Sequence, residues 1–455
     1  MVLLRSLLAL PLVAAAAIRH EPRQVPDELR AAYEAFLVEY QQGAYVENVY
    51  NATFFQTPAN FSGSSAGDVL KLEKVSGQPL NSQYAYPAGL TLWRMMYTSL
   101  DPRGKTVPAT AFVLAPYQKS KRTVAWTHGT AGITRDCAPS NQRQLYYDFT
   151  GLYNLALQGN TVVGPDYAGL GSDTTFNYVA AASHAHDTSY SIIAARKALP
   201  HLCIEEWAAI GHSEGGLTAW ATNEREAKYP SGGFLGSVSI APSMDPQEIN
   251  LRAFATEETR AALEATGSVF YPVFFLEIIR RLFPSLQLSD YLTPTGISLL
   301  NLNLEGGCYA AAATFFPTFK LTDVWKDYSW LNSTEIKQWT DLVRTQGKDK
   351  LAKPLLLIQG DQDEAVSAPV NFDTFDNHCK KFGNDSPIQL SVYPGYRHGP
   401  VVNAAIQEWS AFLDDLFEHR KIRNFGNCKR VNVDSQIEGE NTEELYNVRW
   451  QAPRN

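Results

Sequence analysis

The sequence predicts an α/β fold: a mostly parallel sheet with helices on both faces, interrupted by one long helical insertion. Three observations lead there. Short apolar runs alternate with helix-patterned segments from about residue 90 to residue 241. The alternation stops between Ser243 and Asp349, where the pattern is helical and bulky, and strand-like runs resume at 354–360 and 388–393. Between these blocks, Ala208-Ala209-Ile210-Gly211-His212-Ser213-Glu214-Gly215-Gly216 carries an apolar run through Gly-x-Ser-x-Gly straight into the helix-favouring segment Leu217 to Lys228.

Taken in order, residues 1–17 read as a secretory signal, with Arg5 near the start, an apolar stretch Leu7 to Val13 and small residues Ala14 to Ala17. Residues 18–88 read as an N-terminal helix and loop extension. A Pro/Asp cap signal opens helical spacing at Leu29, Tyr33, Phe36, Leu37 and Tyr40, and residues 48–88 are loop-like, rich in Ser, Gly, Asn and Pro. The first part of the core spans 89–242. Leu90 to Thr98 and Val107 to Leu114 are strands joined by the turn Asp101-Pro102-Arg103-Gly104, and Arg122 to Thr127 is a third, ending in His128-Gly129-Thr130-Ala131-Gly132. Helix 146–158, strand Asn160 to Pro165, helix His184 to Leu199, the serine turn with its helix, and strand Phe234 to Ala241 follow. Residues 243–349 form a helical cap or lid whose wide apolar face runs through Phe270, Phe274, Phe275, Ile278, Ile279, Leu282 and Phe283. A buried bundle would need no more than this face; its position after the serine turn and between two core strands favours a cover whose underside meets substrate. The core resumes over 350–420, closing with helix Ala404 to Phe417, and 421–455 is a polar tail.

The serine turn has the form of a strand, a sharp turn and a helix. Side chains at 211 and 215 would collide in so tight a turn, so glycine is required there. A serine pushed out of the sheet in this way suits nucleophilic attack, with the N–H of Glu214 aimed from a helix N-terminus at developing negative charge. A hydroxyl is a poor nucleophile until an imidazole takes its proton, and the imidazole needs a carboxylate to fix its tautomer. Both should follow in the order acid, then His, each beyond a strand. Of nine histidines, His398 follows a late strand, Gln389 to Tyr393, in a Gly-flanked loop. Asp363 stands third after Gly360 at the end of the run 354–360, with Asp361 and Glu364 as rivals. Ser213, Asp363 and His398 are therefore the catalytic candidates, and Glu214 with Gly129 or Thr130 the oxyanion donors.

Composition bounds the partners. Net charge is −8 and no Lys/Arg cluster is interleaved with aromatics, which argues against nucleic acid. No window is long and apolar enough to span a membrane; Val269 to Phe283 is broken by Pro272, Glu277, Arg280 and Arg281. No His-Glu-x-x-His, Gly-x-Gly-x-x-Gly or Walker loop is present, so no metal or nucleotide cofactor is expected. A secreted, extracellular monomer is the expectation. In that compartment Asn51, Asn60 and Asn332 head glycosylation sequons, and the five cysteines can form two bridges in several arrangements, among which the sequence alone does not choose.

The chain resembles the fungal secretory lipase family over roughly residues 85–420. The resemblance is carried by Tyr97-Thr98-Ser99 through Arg103-Gly104 to Leu114-Ala115-Pro116, and by Gly129-Thr130-Ala131-Gly132 with Asp136-Cys137-Ala138-Pro139-Ser140. Pro165-Asp166-Tyr167-Ala168-Gly169-Leu170-Gly171, the serine turn and Gly360-x-x-Asp363 complete it. It implies an α/β-hydrolase core with a helical cap inserted after the sixth core strand, and hydrolysis of carboxylic esters by Ser213, Asp363 and His398. It further implies bridges Cys137–Cys308 and Cys379–Cys428, with Cys203 a free, buried thiol. Where that family has an aromatic before the serine and a glycine after it, this chain has His212 and Glu214, which sets a charge near the acyl site. His128-Gly129-Thr130 stands where the family has an acidic residue.

The expected substrate is a small-molecule or lipid ester, with transient lipid-interface contact through the cap. Three rival readings share the same residues: a serine peptidase, a secreted deacetylase of a fungal secondary metabolite, and a non-catalytic protein that binds a ligand under the cap.

Overall fold

The computed structural model describes residues 25–41, 43–344 and 347–434. The expected signal segment and most of the polar tail lie outside them. Ten strands form one sheet: β1 Val69–Lys74, β2 Leu90–Leu100, β3 Thr106–Pro116, β4 Arg122–Thr127, β5 Thr161–Pro165, β6 Glu206–His212, β7 Phe234–Ile240, β8 Leu355–Gly360, β9 Ile388–Tyr393 and β10 Lys429–Asn432. Their order is β1-β2-β3-β5-β4-β6-β7-β8-β9-β10. The pairs β1–β2, β2–β3 and β3–β5 are antiparallel, and every pair from β5 to β10 is parallel. Strands buried on both faces read as unbroken apolar runs, as in Leu-Leu-Leu-Ile of β8, every residue of which is buried.

The chain steps from β4 outward to β5, then crosses back over β4 to lay down β6. Adjacent strands β4 and β6 therefore send their C-terminal loops in opposite directions. The crevice outside such a switch point is where open parallel sheets bind ligands. Those two loops hold His128-Gly129-Thr130 and Ser213-Glu214.

Several sequence expectations need correcting. Residues 48–88 contain β1, hidden because its Lys and Glu side chains mark a solvent-facing edge strand. The polar tail likewise returns to the sheet as β10, a parallel partner of β9. The expected helix 146–158 is a short helix, Leu152–Leu157, preceded by four left-handed residues, Leu145 to Asp148. The closing helix divides into Pro400–Ala404 and Ile406–Phe417. Cys203 is exposed rather than buried, in a left-handed cap after Leu202.

Between β7 and β8 the chain is helical, with principal helices Pro246–Phe254, Glu257–Ala265, Phe270–Leu282, Pro294–Leu304 and Thr334–Val343. Their starts are capped by side chains of Asp245, Thr256, Thr293 and Ser333, each accepting from a backbone N–H three residues on. Much of the apolar face of Phe270–Leu282 is spent on internal packing. Phe275 sits edge-on to Trp339 at 4.7 Å and Trp330 at 5.8 Å, and Phe274, Ile278 and Ile279 are fully buried. Disulfides join Cys137, in the loop after β4, to Cys308 in this helical segment, and Cys379 to Cys428, just before β10. Asn51, Asn60 and Asn332 are exposed. Among the described residues, no single helix is long and apolar enough to cross a membrane.

Candidate active site

Ser213 follows β6 with φ 61° and ψ −123°, backbone angles that L residues rarely adopt and that cost on the order of 1–3 kcal/mol. The surroundings enforce the turn. A Cβ on Gly211 would lie 2.0 Å from Thr127 Oγ1 and 2.4 Å from the Gly215 carbonyl, and one on Gly215 would lie 1.9 Å from the Thr127 carbonyl. The glycines are thus required as much by the neighbouring strand β4 as by the turn itself. Glu214 is the first residue of helix Glu214–Lys228, so its N–H is one of those a helix leaves without an intrahelical acceptor.

Loops after β8 and β9 bring an acid and an imidazole to the same end of the sheet. His398 Nδ1 lies 2.8 Å from Asp363 Oδ2. Asp363 is fully buried at its side chain, and Oδ2 also accepts from Gln359 Nε2 at 3.0 Å, while Oδ1 accepts from the N–H groups of Ala365 and Val366 at 3.0 and 2.8 Å. Gln359 is itself held by Asn371, whose amide donates to Oε1 at 2.6 Å. The rival acids do other work: Asp361 accepts from Gly395 N–H at 2.7 Å, and Glu364 from His398 N–H at 3.1 Å.

His212, which no catalytic motif singles out, packs against His398 with ring centroids 4.4 Å apart. Burial keeps its imidazole neutral, with its pKa well below the usual value. Nε2 faces the His398 carbonyl at 3.0 Å, which can only accept, so Nε2 carries the proton and Nδ1 accepts from the Tyr147 hydroxyl at 2.7 Å. His212 and Glu364 therefore pin the two backbone polar groups of His398. No local sequence signal distinguishes these supports, because they act across elements far apart in the chain.

On the other side of Ser213 lies the loop after β4. His128 stacks on Tyr167 at 4.3 Å, and its Nδ1 is 2.6 Å from the Gly129 carbonyl. Since C=O and N–H point oppositely across a trans peptide, the Thr130 N–H is turned away from His128. A Cβ on Gly129 would lie 2.1 Å from the Tyr147 hydroxyl oxygen, so any side chain there would push that hydroxyl off His212. The Thr130 hydroxyl contacts that of Tyr178 at 2.8 Å.

The charge expected from Glu214 beside the acyl site is largely absent at neutral pH. Its carboxyl is fully buried, turned toward the Val179 N–H at 3.0 Å, and burial pushes its pKa up to about 8. Ser213 itself lies where two cavities meet. One of ≈ 490 Å³ is also lined by Thr130, His212 and His398; the other, of ≈ 50 Å³, is lined by Val179, Ile249 and Phe275 among others. Among the described residues no three His, Cys, Asp or Glu side chains converge as a metal set would require.

These features define an α/β-hydrolase fold: a mostly parallel sheet, helices on both sides, and a serine turn at its switch point. Solved structures agree with that class. The X-ray structure of Candida antarctica lipase A superimposes with a TM-score of 0.69 at 16% identity, covering 86% of this chain and 91% of the lipase. The rice cell wall degrading esterase LipA from Xanthomonas oryzae gives a TM-score of 0.61 at 18% identity, covering 79% of this chain and all of the esterase. No family model and no curated protein matches the chain.

Proposed function

We propose that the chain is a carboxylic ester hydrolase acting through Ser213, His398 and Asp363. The observation that carries this is the His398–Asp363 pair at 2.8 Å, set in a cavity that Ser213 also lines. With Nδ1–H donated to Asp363, His398 presents the lone pair of Nε2 to the serine. Nε2 takes the Oγ proton as Oγ bonds to the ester carbonyl carbon, and the carbonyl oxygen becomes negative between the N–H groups of Glu214 and Thr130. Thr130 is preferred over Gly129 because it lines the cavity beside Ser213 and the Gly129 carbonyl contact turns its amide away from His128. Collapse of the adduct breaks the C–O bond, and the imidazolium returns its proton to the leaving alkoxide. Water, deprotonated by the same imidazole, then releases the acid and restores Ser213.

Lipases and esterases among the structural neighbours support an ester over an amide substrate. The helical segment 243–349 is read as a cap over this site, tied to the core by Cys137–Cys308. Secretion is supported by the signal-like N-terminus, two disulfides and three exposed sequons at Asn51, Asn60 and Asn332. Hydrolysis of p-nitrophenyl esters by wild type and Ser213→Ala tests the reaction. The variant should lose about four to six orders of magnitude in kcat; equal activity would reduce the serine turn to a structural bend.

A further inference from the structure

We infer that the preferred substrates are short-chain acyl esters of bulky, ring-bearing alcohols, with the acyl group in the small cavity beside Ser213 and the alcohol in the large one. This rests on the ester-hydrolase reading above. The two cavities meet at Ser213 and share Tyr271 and Ala365, so an ester bound at Ser213 has one cavity for each of its halves. Proton transfer decides which half goes where. The leaving oxygen must receive its proton from His398 Nε2, within hydrogen-bond reach. His398 lines the large cavity and not the small one, so the alcohol belongs in the large cavity.

Size then limits the acyl chain. A space of ≈ 50 Å³ holds roughly four water-sized groups, at about 10–15 Å³ for each. That admits acetyl to about butyryl. The walls are not easily moved. Phe275 is clamped by Trp339 and Trp330, and Ile249 rides on a helix whose capping residue Asp245 is ion-paired to Arg344 at 2.7 Å. Overfilling this site forces a shift of Phe275, which is buried and packed on both tryptophans.

The opposite cavity is nearly ten times larger and walled by rings: Tyr146, Tyr147, Phe270, Tyr271 and Tyr309. Several of the hydroxyls are already engaged, Tyr147 with His212 and Tyr146 with the Thr130 carbonyl. These rings stand among polar neighbours, Thr150, Thr266, Ser268, Glu364 and Arg397, so the cavity suits a ring-bearing alcohol that also carries polar groups rather than a short aliphatic one.

The test holds one half of the ester fixed and varies the other. With 4-methylumbelliferyl acetate, butyrate, octanoate and palmitate, kcat/KM should fall about 100-fold between butyrate and octanoate. With acetates of two secondary alcohols, a steroid 3-acetate should exceed cyclohexyl acetate by about tenfold. Ile249→Ala should move the acyl optimum to longer chains, and the wild-type series stands as a test if that variant fails to fold. Octanoate or palmitate cleaved as well as acetate overturns the inference while leaving the esterase reading intact. Failure to cleave any of these esters, together with no fluorophosphonate label on Ser213, would sink both.

Discussion

Two buried carboxyls lie close to Ser213, the proposed nucleophile, and their surroundings differ sharply. Asp363, after β8, faces four donors: His398, Gln359 and two backbone N–H groups. Glu214, opening the helix after β6, receives one hydrogen bond from Val179; its Oε2 has no partner in hydrogen-bond geometry, though Thr130 is close enough to offset part of the burial cost. Burial alone therefore does not define a catalytic acid. The donor-rich site is built for a carboxylate that steadies an imidazolium, whereas the donor-poor site holds a proton and braces the turn.

Among changes around the two carboxyls, the largest effect should come from Asp363→Asn. Geometry would be nearly kept, but the imidazole would lose the partner that fixes its tautomer, and kcat should drop about 10⁴-fold with little change in melting temperature. Gln359→Leu removes one donor from the same carboxylate while keeping the His398 contact. It should lower kcat about tenfold at unchanged KM, the rate equivalent of one hydrogen bond to a charged group. A drop as large as that of Asp363→Asn would mean the four donors act as a unit.

Glu214→Gln should do least to turnover, within a few-fold, since the amide oxygen can still accept from Val179. Its signature is in stability against pH. The folded carboxyl keeps its proton to about pH 8, whereas the ordinary value is 4.5. Between these values the native state binds more protons than the unfolded chain, so this group makes stability fall as pH rises and level off above about 8. Glutamine does not titrate. The stability of the variant relative to wild type should rise from pH 5 to pH 8, by up to about 4 kcal/mol. Denaturant melts at the two pH values check this, and a difference independent of pH would show that Glu214 is charged in the folded protein.

What the sequence disclosed follows the range of the interactions involved. The central strands and the serine turn were legible because burial on both faces and a steric demand for glycine leave local patterns. Strands β1 and β10 were not, since edge strands carry Lys, Glu and Arg like any exposed loop. The order of Ser213, Asp363 and His398 could be read along the chain. The roles of His212, Glu364 and Gln359 could not, because each depends on a partner brought close only by the sheet. The buried, protonated state of Glu214 was hidden for the same reason: its neighbours Val179 and Thr130 arrive from the loops after β5 and β4.

The most direct test of the central claim is to treat the full-length protein with a fluorophosphonate and map the adduct by peptide mass spectrometry. A single adduct on Ser213, formed at a rate that falls at least about 100-fold in Asp363→Asn, is the expected result. An adduct on another residue, or none while ester hydrolysis persists, would contradict the assignment of Ser213 as the nucleophile.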